Sequence, residues 1–295
     1  MVSDTATQQH QGKTLSLCDH ALTISPEMAI AAQAALAAAE IIRNGGDEMH
    51  AVESKGIGDL VSAVDVNADR AAMAVLQELS DAAILSEELN PDLAPEDHDQ
   101  FWIVDPLDAS SAFLVRAGEH YPSVLIAMYS GGQPQLGVCL FPMTNEWFYA
   151  ERGCGAFKDG QRLSVDGIDA SNELSQTWVD MNQYGDSQFE TQTFRGLRDA
   201  LRTKRGAILL TISVPNAGVT MRILEGKTRL GAIVHDNNPN NVKQAAWDIA
   251  PIKVIAQEAG AVLVCTDGSD VDPFVAKPFV VARTKEIADQ ILELV

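Results

Sequence analysis

Hydrophobic positions near the start of the chain recur with the period of a helix. Ser25 and Pro26 suit the N-cap and the first helical position, and Gly45 with Gly46 is typical of a helix end. The apolar positions that share one face between them are Met28, Ala32, Ala35, Leu36, Ala39 and Ile42. So many alanines predict close packing against a second helix, and the mixed polar residues 1–22 are expected to form a loose tail.

A second helical pattern follows within residues 55–79. Its shared apolar face consists of Ala68, Ala72, Val75, Leu76 and Leu79. Asp65 lies near the start of this helix, where an acidic side chain is favourable for the helix dipole. Taken alone, Asp65 is therefore more simply interpreted as a cap than as a functional residue.

Short runs with strand character then follow one another at close spacing. They are Ile84-Leu85, Phe101–Asp105, Pro122–Tyr129, Gln135–Phe141 and Asn145–Glu151. Glycine-rich turns separate the later runs, which is typical of an antiparallel meander. Residues 23–166 are therefore predicted to form an N-terminal α+β domain, with helices layered on a largely antiparallel sheet.

The pattern changes around Gly167, where strands begin to alternate with helices. Strand patterns lie at 178–181, 207–214, 229–234, 261–265 and 279–282, and a terminal helix at 285–294. Because Pro251 is tolerated only in a first turn, the helix that contains it is expected to begin near Asp248. Residues 167–295 are predicted to form a C-terminal α/β domain, so the chain as a whole falls in fold class α/β.

The composition is that of a globular protein with a strongly acidic surface. Hydrophobic residues make up 46% of the 295 residues, and 21 basic against 41 acidic side chains give a formal charge of −20. A polyanion or an anionic membrane would be repelled, which argues against binding a nucleic-acid polymer or a membrane. Since carboxylates are plentiful, only their placement can single out a functional one.

Cysteine usage and hydropathy favour a soluble, cytoplasmic protein. The four cysteines, Cys18, Cys139, Cys154 and Cys265, lack CxxC spacing, so neither a zinc site nor a disulfide framework is expected. No signal-peptide pattern opens the sequence. No apolar run reaches the ~18 residues of a membrane span.

Two carboxylates stand at the end of the strand at 101–105. Asp105 ends the strand, Pro106 interrupts its ladder, and Asp108 leads into small hydroxyl residues that suit a helix start. Such a corner can hold cations on one side and an anion on the other, as metal-assisted phosphoryl chemistry requires. The alternative is a strand–turn–helix corner whose acids only cap backbone amides. The acidic pair Glu87-Glu88, directly after another strand, is a weaker candidate of the same kind.

Five motifs in a fixed order resemble the inositol monophosphatase family of magnesium-dependent, lithium-sensitive phosphomonoesterases. They are Asp59-Leu60-Val61-Ser62-Ala63-Val64-Asp65, Ser86-Glu87-Glu88, Asp105-Pro106-Leu107-Asp108, the scaffold run Phe148–Phe157, and Trp247-Asp248-Ile249-Ala250 with Glu258-Ala259-Gly260. The resemblance spans roughly residues 26–290. It implies a layered α/β/α/β/α phosphatase fold, a small phosphomonoester substrate and a homodimer.

The resemblance also implies that oxygen ligands hold two Mg²⁺ ions, with a weaker third beside them. The implied ligands are Glu87, Asp105, the Leu107 carbonyl and the Ser110 hydroxyl for the first ion, and Asp105, Asp108 and Asp248 for the second. Two ions about 3.5–4 Å apart would stabilise the attacking and leaving oxygens of an in-line displacement. The implied catalytic residues are Glu87 and Ser110, which orient the attacking water, and Asp65, which acts through water.

The implied substrate site matches the residues of the family less closely than the metal site does. Its residues are Ala109, Ser110, Ser111, Ser213, Asn216 and His235, with the amides at 109–111 holding the phosphate. Ala109 stands where the family has Gly, and Ser86 replaces the Gly before the Glu pair. His235 falls about where inositol-specific members carry a Glu that contacts sugar hydroxyls, although a lone His is more often a loop residue.

These departures leave three hypotheses open. The first is a phosphatase of a small phosphorylated polyol or sugar, such as inositol monophosphate. The second keeps the chemistry but takes adenosine 3′,5′-bisphosphate, fructose 1,6-bisphosphate or histidinol phosphate. The third, motivated by Ala109, is a catalytically weak metal-binding relative.

Overall fold

The computed structural model describes residues 25–45, 52–56, 59–115, 122–168, 172–182, 192–210, 216–237 and 246–295. The tail predicted at 1–22 lies outside these ranges. The described residues form seven α-helices, a two-stranded hairpin and two larger mixed sheets. None of the described helices has both the length and the apolar character needed to cross a bilayer.

The first two long helices pack against each other. Helix α1 (Pro26–Gly45) begins where predicted, and the Ser25 hydroxyl oxygen accepts a hydrogen bond from the Met28 N–H at 3.1 Å. Its buried alanines allow close contact with α2 (Ala63–Leu79). In the sequence, the two helices are connected by a segment that contains an antiparallel hairpin of β1 (Val52–Gly56) and β2 (Asp59–Ser62). Leu79, assigned by periodicity to the apolar face, is exposed at the C-terminal end of α2.

The first large sheet has seven strands in sequential order. They are β3 (Ala83–Ser86), β4 (Gln100–Asp108), β5 (Ser123–Ser130), β6 (Gln133–Phe141), β7 (Glu146–Glu151), β8 (Gly155–Lys158) and β9 (Gln161–Leu163). Strands β3 and β4 are parallel and all later neighbours are antiparallel, as the predicted meander requires. A 3₁₀ turn, Pro95–Asp97, lies in the loop before β4.

Strand β4 continues past Pro106, where the sequence predicted its end. Asp105 pairs with Leu125 of β5 and Asp108 pairs with Ser123, so three steps along β4 match two along β5. This is a bulge, and it accommodates Pro106 because a bulged residue need not donate to the ladder. The bulge keeps both acids at one end of the strand.

The second large sheet has five strands in the order β11-β10-β12-β14-β13. They are β10 (Trp178–Asn182), β11 (Ile208–Leu210), β12 (Leu230–His235), β13 (Val262–Cys265) and β14 (Phe279–Ala282). Strand β10 is parallel to both neighbours, and β14 is antiparallel to both of its own. The remaining helices are α3 (Ser110–Leu114), α4 (Gln192–Lys204), α5 (Asn216–Glu225), α6 (Ala246–Glu258) and α7 (Lys285–Leu292). The predicted strand 207–214 is described only to residue 210.

Helix α6 begins at Ala246, two residues before Asp248, so Pro251 lies in its second turn rather than its first. The missing N–H leaves only the Trp247 carbonyl without its helical donor. Strand β6 passes this point closely, since a Cβ on Gly137 would lie 2.4 Å from the Pro251 carbonyl oxygen. The close approach explains why glycine stands at position 137.

Buried hydrophobic clusters separate the layers. Helices α1 and α2 cover one face of the first sheet. Helices α5 and α6 lie between the opposite face of that sheet and the second sheet. Helices α4 and α7 cover the outer face of the second sheet. The order is α/β/α/β/α, and the predicted fold class is confirmed.

The division at residues 166/167 separates the two sheets, but the middle cluster belongs to both halves, so separate domains stay a prediction.

Candidate active site

Three carboxylates from two distant parts of the chain converge at one end of β4. Asp105 and Asp108 come from the bulge of β4, and Asp248 comes from the first turn of α6. One carboxylate oxygen from each lies within 4.8 Å of the others. Asp105 and Asp108 are buried and Asp248 is partly buried. The structure therefore brings together the three residues that the sequence assigns to the second metal ion.

Glu87 reaches the same place from the neighbouring parallel strand. Ser86, the last residue of β3, pairs with Val104, and the Glu87 N–H donates to the Val104 carbonyl at 3.2 Å. This register places Glu87 next to Asp105, and the nearby Glu87 carboxyl group raises the pKa of Asp105. A parallel strand pair thus supplies two of the acids that the sequence assigns to the first metal ion.

The electrostatics of this cluster favour a bound cation. Burial raises the pKa of Asp105 well above its usual range, and the charges of Glu87, Asp108 and Asp248 raise it further. Burial also raises the pKa of Asp108 to about 7, although a hydrogen bond from the Ser123 hydroxyl opposes the shift. Repelling carboxylates removed from water are costly unless a positive charge compensates them.

The donor set matches a hard divalent cation. Carboxylate oxygens are the ligands that Mg²⁺ prefers, and the four acids above supply only such atoms. The Leu107 carbonyl, a fifth predicted ligand, lies 3.0 Å from the Ser110 hydroxyl oxygen. The Leu107 N–H donates to Asp105 Oδ1 at 3.0 Å and so orients that carboxylate.

Asp65 combines the two roles that the sequence leaves open. Its Oδ2 accepts hydrogen bonds from the Ser62 N–H at 2.9 Å and from the Ser62 hydroxyl at 2.6 Å, which completes a capping box at the start of α2. Its Oδ1 accepts a hydrogen bond from the Ser110 hydroxyl at the start of α3. Asp65 is therefore both a cap and a member of the candidate site.

Ala109 has a left-handed backbone, with φ 75° and ψ 38°. This conformation is costly for a residue with a Cβ and explains why the family has Gly here. The turn nevertheless closes, since the Phe113 N–H donates to the Ala109 carbonyl at 2.9 Å. Ser111, next to Ser110, is exposed at the same corner.

One further element of the C-terminal half reaches the cluster, whereas His235 lies buried at the end of a strand rather than in a loop. The N–H of Ala217, at the start of α5, donates a hydrogen bond to the Asp108 carboxylate. His235, at the end of β12, is buried and stacks on Phe279 with ring centroids 4.3 Å apart. Burial lowers the pKa of His235 to about 3, and neither ring nitrogen has a hydrogen-bond partner among the described residues. Asn216 is the first residue of α5, and Ser213 lies outside the described residues.

Two residues at the site were missed by the sequence analysis. The Ser123 hydroxyl donates to Asp108 Oδ2 at 3.0 Å, a cross-strand contact that the register of the β4–β5 pair creates. Asp69 is fully buried on α2 and accepts hydrogen bonds from the turn that carries Glu87. A signal for Asp69 existed, because it interrupts the apolar face of its helix with a carboxylate.

Relatives in sequence support the same assignment. The chain is 35% identical over 146 residues to the Nus factor SuhB of Haemophilus influenzae, and the match covers 48% of this chain and 54%, about half, of that relative. It is 29% identical over 274 residues to the inositol monophosphatase of Mesembryanthemum crystallinum, with 92% and 96% of the two chains covered.

A solved structure shows the same fold. The extragenic suppressor protein SuhB of Bartonella henselae superimposes with a TM-score of 0.77 at 24% identity, over 92% of this chain and 98% of that one. The sequence model of the inositol monophosphatase family matches residues 24–295. The predicted resemblance and enzyme class, phosphoric monoester hydrolase, are thereby confirmed, and the protein belongs to the inositol monophosphatase family.

Proposed function

We propose that the protein is a Mg²⁺-dependent hydrolase of a small phosphorylated polyol or sugar. The observation that carries this proposal is the convergence of Asp105, Asp108 and Asp248 within 4.8 Å. Glu87 adds a fourth acid to the same cluster. Such an arrangement is unfavourable without cations, whereas with two bound ions it becomes a site for a phosphate monoester.

The proposed metal ligands are those named from the sequence. They are Glu87, Asp105, the Leu107 carbonyl and Ser110 for one ion, and Asp105, Asp108 and Asp248 for the other. When bound, these ions would activate a water and stabilise negative charge on the leaving oxygen. A weaker third ion beside Asp65 belongs to the same proposal.

The chain's own residues would orient the water and take its proton. Ser110 donates its hydroxyl hydrogen to Asp65 Oδ1. Of the two lone pairs of Ser110 Oγ, one could then bind the ion and the other could accept a hydrogen bond from the attacking water. The proton of the water would pass to Ser110 Oγ as the Ser110 hydrogen passes to Asp65. Glu87 would help to orient the same water. No residue forms a covalent bond to phosphorus in this scheme.

The phosphate would lie against the corner between β4 and α3. The first amides of a helix have no carbonyl partner within it. The amides at 109–111, which would hold the phosphate, lie at this helix start, where the Ala109 N–H also contacts the Asp108 carboxylate. The Ser111 side chain is exposed at this corner. Ala109 already has the left-handed backbone conformation that suits the Gly of the family, so we do not expect Ala109 to abolish binding.

Two classes of substrate are compatible with this site. His235 is buried, and burial lowers its pKa to about 3, so the side chain is neutral. It offers no negative charge like that of the Glu that contacts sugar hydroxyls in inositol-specific members. This observation favours a second candidate in which the same site hydrolyses adenosine 3′,5′-bisphosphate, fructose 1,6-bisphosphate or histidinol phosphate. Ser213 and Asn216 would complete the substrate site in either case.

Phosphate release from a panel of phosphomonoesters, with and without Mg²⁺, tests the proposal. The panel contains inositol 1-phosphate, the three alternative substrates and p-nitrophenyl phosphate. Mg²⁺-dependent release from inositol 1-phosphate is the expected result. Preferential release from the nucleotide, from fructose 1,6-bisphosphate or from histidinol phosphate would select the second candidate. A chain that binds Mg²⁺ but releases phosphate from none of them would be the catalytically weak relative.

Three general properties belong to the same proposal. Lithium inhibition and a homodimeric state are what the family resemblance implies. A cytoplasmic location is favoured by the cysteines, since the three described ones, Cys139, Cys154 and Cys265, are free thiols.

A further inference from the structure

Helix α2 carries two buried acids one turn apart. Asp65 and Asp69 are separated by four residues, which places them on the same face of the helix, and both are almost fully buried. Their carboxylates bind different parts of the site. Asp65 accepts a hydrogen bond from Ser110, at the start of α3, whereas Asp69 contacts the turn that follows β3 and carries Glu87.

Asp69 holds this turn through three hydrogen bonds to one oxygen. Its Oδ2 accepts from the Ser86 hydroxyl at 2.7 Å, from the Glu88 N–H at 3.1 Å and from the Leu89 N–H at 2.9 Å. These donors lie on both sides of Glu87 in the sequence. The Glu87 N–H itself is bound to the Val104 carbonyl at 3.2 Å. The backbone around Glu87 is therefore fixed by α2 on one side and by β4 on the other.

Ser86 closes the same turn from inside. Its hydroxyl oxygen accepts from the Asn90 N–H at 3.2 Å, and its own N–H donates to the Asn90 carbonyl at 3.1 Å. The Asn90 side chain donates to the Ile84 carbonyl at 2.6 Å. A Gly at position 86 could make neither hydroxyl contact, so the Ser that departs from the family motif links Asp69 to the whole turn.

Packing alone does not hold this turn. Glu87 and Glu88 are only partly buried, and Leu89 is 42% exposed. The position of the Glu87 carboxylate relative to Asp105 therefore depends on the hydrogen bonds that Asp69 and Ser86 make. Partners that orient a metal ligand in this way commonly change metal affinity when they are removed.

We propose that Asp69, acting through Ser86 and the turn amides, is a positioning residue that sets the Glu87 carboxylate for metal binding. The inference rests on the proposed function, because it assumes that Glu87 binds Mg²⁺. It assigns no contact between Asp69 and the substrate. Metal affinity should therefore respond to Asp69 more strongly than the KM of the substrate does.

Calorimetric titration of the full chain with Mg²⁺, without substrate, tests the inference in two variants. Asp69→Asn should weaken Mg²⁺ binding roughly 10- to 100-fold, the range found for such supporting residues. Ser86→Ala removes one bond to Asp69 and should weaken binding several-fold. At saturating Mg²⁺ the KM of the substrate should stay within about twofold of wild type. Because Ser86→Ala is small and nearly isosteric, it keeps the test decisive if Asp69→Asn folds poorly.

Glu225→Gln is the matched control. Glu225 is another buried carboxylate, bound to Lys158, Arg222 and Lys227 at the far end of α5. The Glu225→Gln substitution should lower the Tm and leave the Mg²⁺ affinity unchanged. If Asp69→Asn or Ser86→Ala lowers the Tm but leaves Mg²⁺ affinity within twofold, the role is merely structural and the inference is overturned. A wild-type chain that binds no Mg²⁺ would overturn the proposed function, and the inference with it.

Discussion

The Ser110 hydroxyl donates a hydrogen bond to Asp65 Oδ1 although 45 residues separate the two in sequence. The other oxygen of Asp65 accepts from the Ser62 N–H and hydroxyl and caps α2. The cap therefore fixes the carboxylate, and the fixed carboxylate orients the hydroxyl. Each oxygen of Asp65 has its own task, so the structural and functional interpretations of this residue are compatible.

Ser110→Ala and Asp65→Asn should each lower kcat by roughly 10²–10³-fold, because each removes one member of the proposed proton path. The double variant should be no slower than the slower single variant, since residues that act as a unit are not additive. The measurement is kcat for each variant on the best substrate of the panel at saturating Mg²⁺. Multiplicative losses would mean that the two residues act independently.

Ser62→Ala separates the cap from the chemistry. It removes the Ser62 hydroxyl that binds both Asp65 Oδ2 and the Val64 N–H, but leaves the Ser110 contact in place. The helix cap should lose about 1 kcal/mol of stability. A fall in Tm with kcat within a few-fold of wild type is expected. If Ser62→Ala lowers kcat as much as Asp65→Asn does, loss of the helix cap would be enough to explain the effects of both substitutions.

Asp108→Asn should abolish Mg²⁺-dependent phosphate release and stabilise the metal-free protein by about 1–2 kcal/mol. The gain arises because burial already raises the pKa of Asp108 to about 7, so a neutral side chain suits the site better than a charged one. The amide oxygen can still accept from Ser123. A phosphate-release assay checks the first statement and thermal unfolding without Mg²⁺ checks the second. Activity within a few-fold of wild type would refute the two-metal assignment.

Ala109→Gly should raise stability by up to about 1 kcal/mol, because it relieves a left-handed backbone at φ 75° that glycine adopts without strain. We expect kcat/KM to rise no more than a few-fold, since Ser110 and the acids are already in place. A gain of two orders of magnitude would instead identify the chain as a weakened relative. Chemical denaturation and steady-state kinetics measure the two effects.

Asn145→Gly is the control for the effect of Ala109. Asn145 also has a positive φ, 57°, but lies in the turn between β6 and β7. Its replacement should change stability through the backbone alone and leave kcat/KM unchanged. Comparing the two variants separates relief of strain from any change at the candidate site.

The fold was predictable where local signals punctuate the chain. Ser25 and Pro26 mark the start of α1, and the Asp159-Gly160 turn, with positive φ at both residues, joins β8 to β9. The path of β4 beyond Pro106 was not predictable in the same way. Its bulge depends on the register with β5, and a register is a property of two segments rather than of one.

The candidate site was predictable only as far as its motifs extend. Asp105, Asp108 and Asp248 lie in runs that the family resemblance covers. Asp69 and Ser123 lie outside the family's named ligands, and their roles arise from contacts over 17 and 15 residues of sequence. Hydrogen bonds of that range follow from the packing of α2 and β5, which no local pattern encodes.

His235→Phe should make the protein less sensitive to acid. Burial lowers the pKa of His235 to about 3 from 6.5, so the unfolded chain takes up a proton below pH 6.5 that the folded chain does not accept until about pH 3. Stability is therefore lost as the pH falls through this window, by about 3 kcal/mol at pH 4. Phe stacks on Phe279 as His235 does and also removes two buried nitrogens without described partners. Denaturation at pH 7 and pH 4 should show that the variant loses less free energy of unfolding than wild type when the pH is lowered. Equal pH dependence would contradict the buried, neutral imidazole, and a raised KM with unchanged kcat would place His235 in the substrate site.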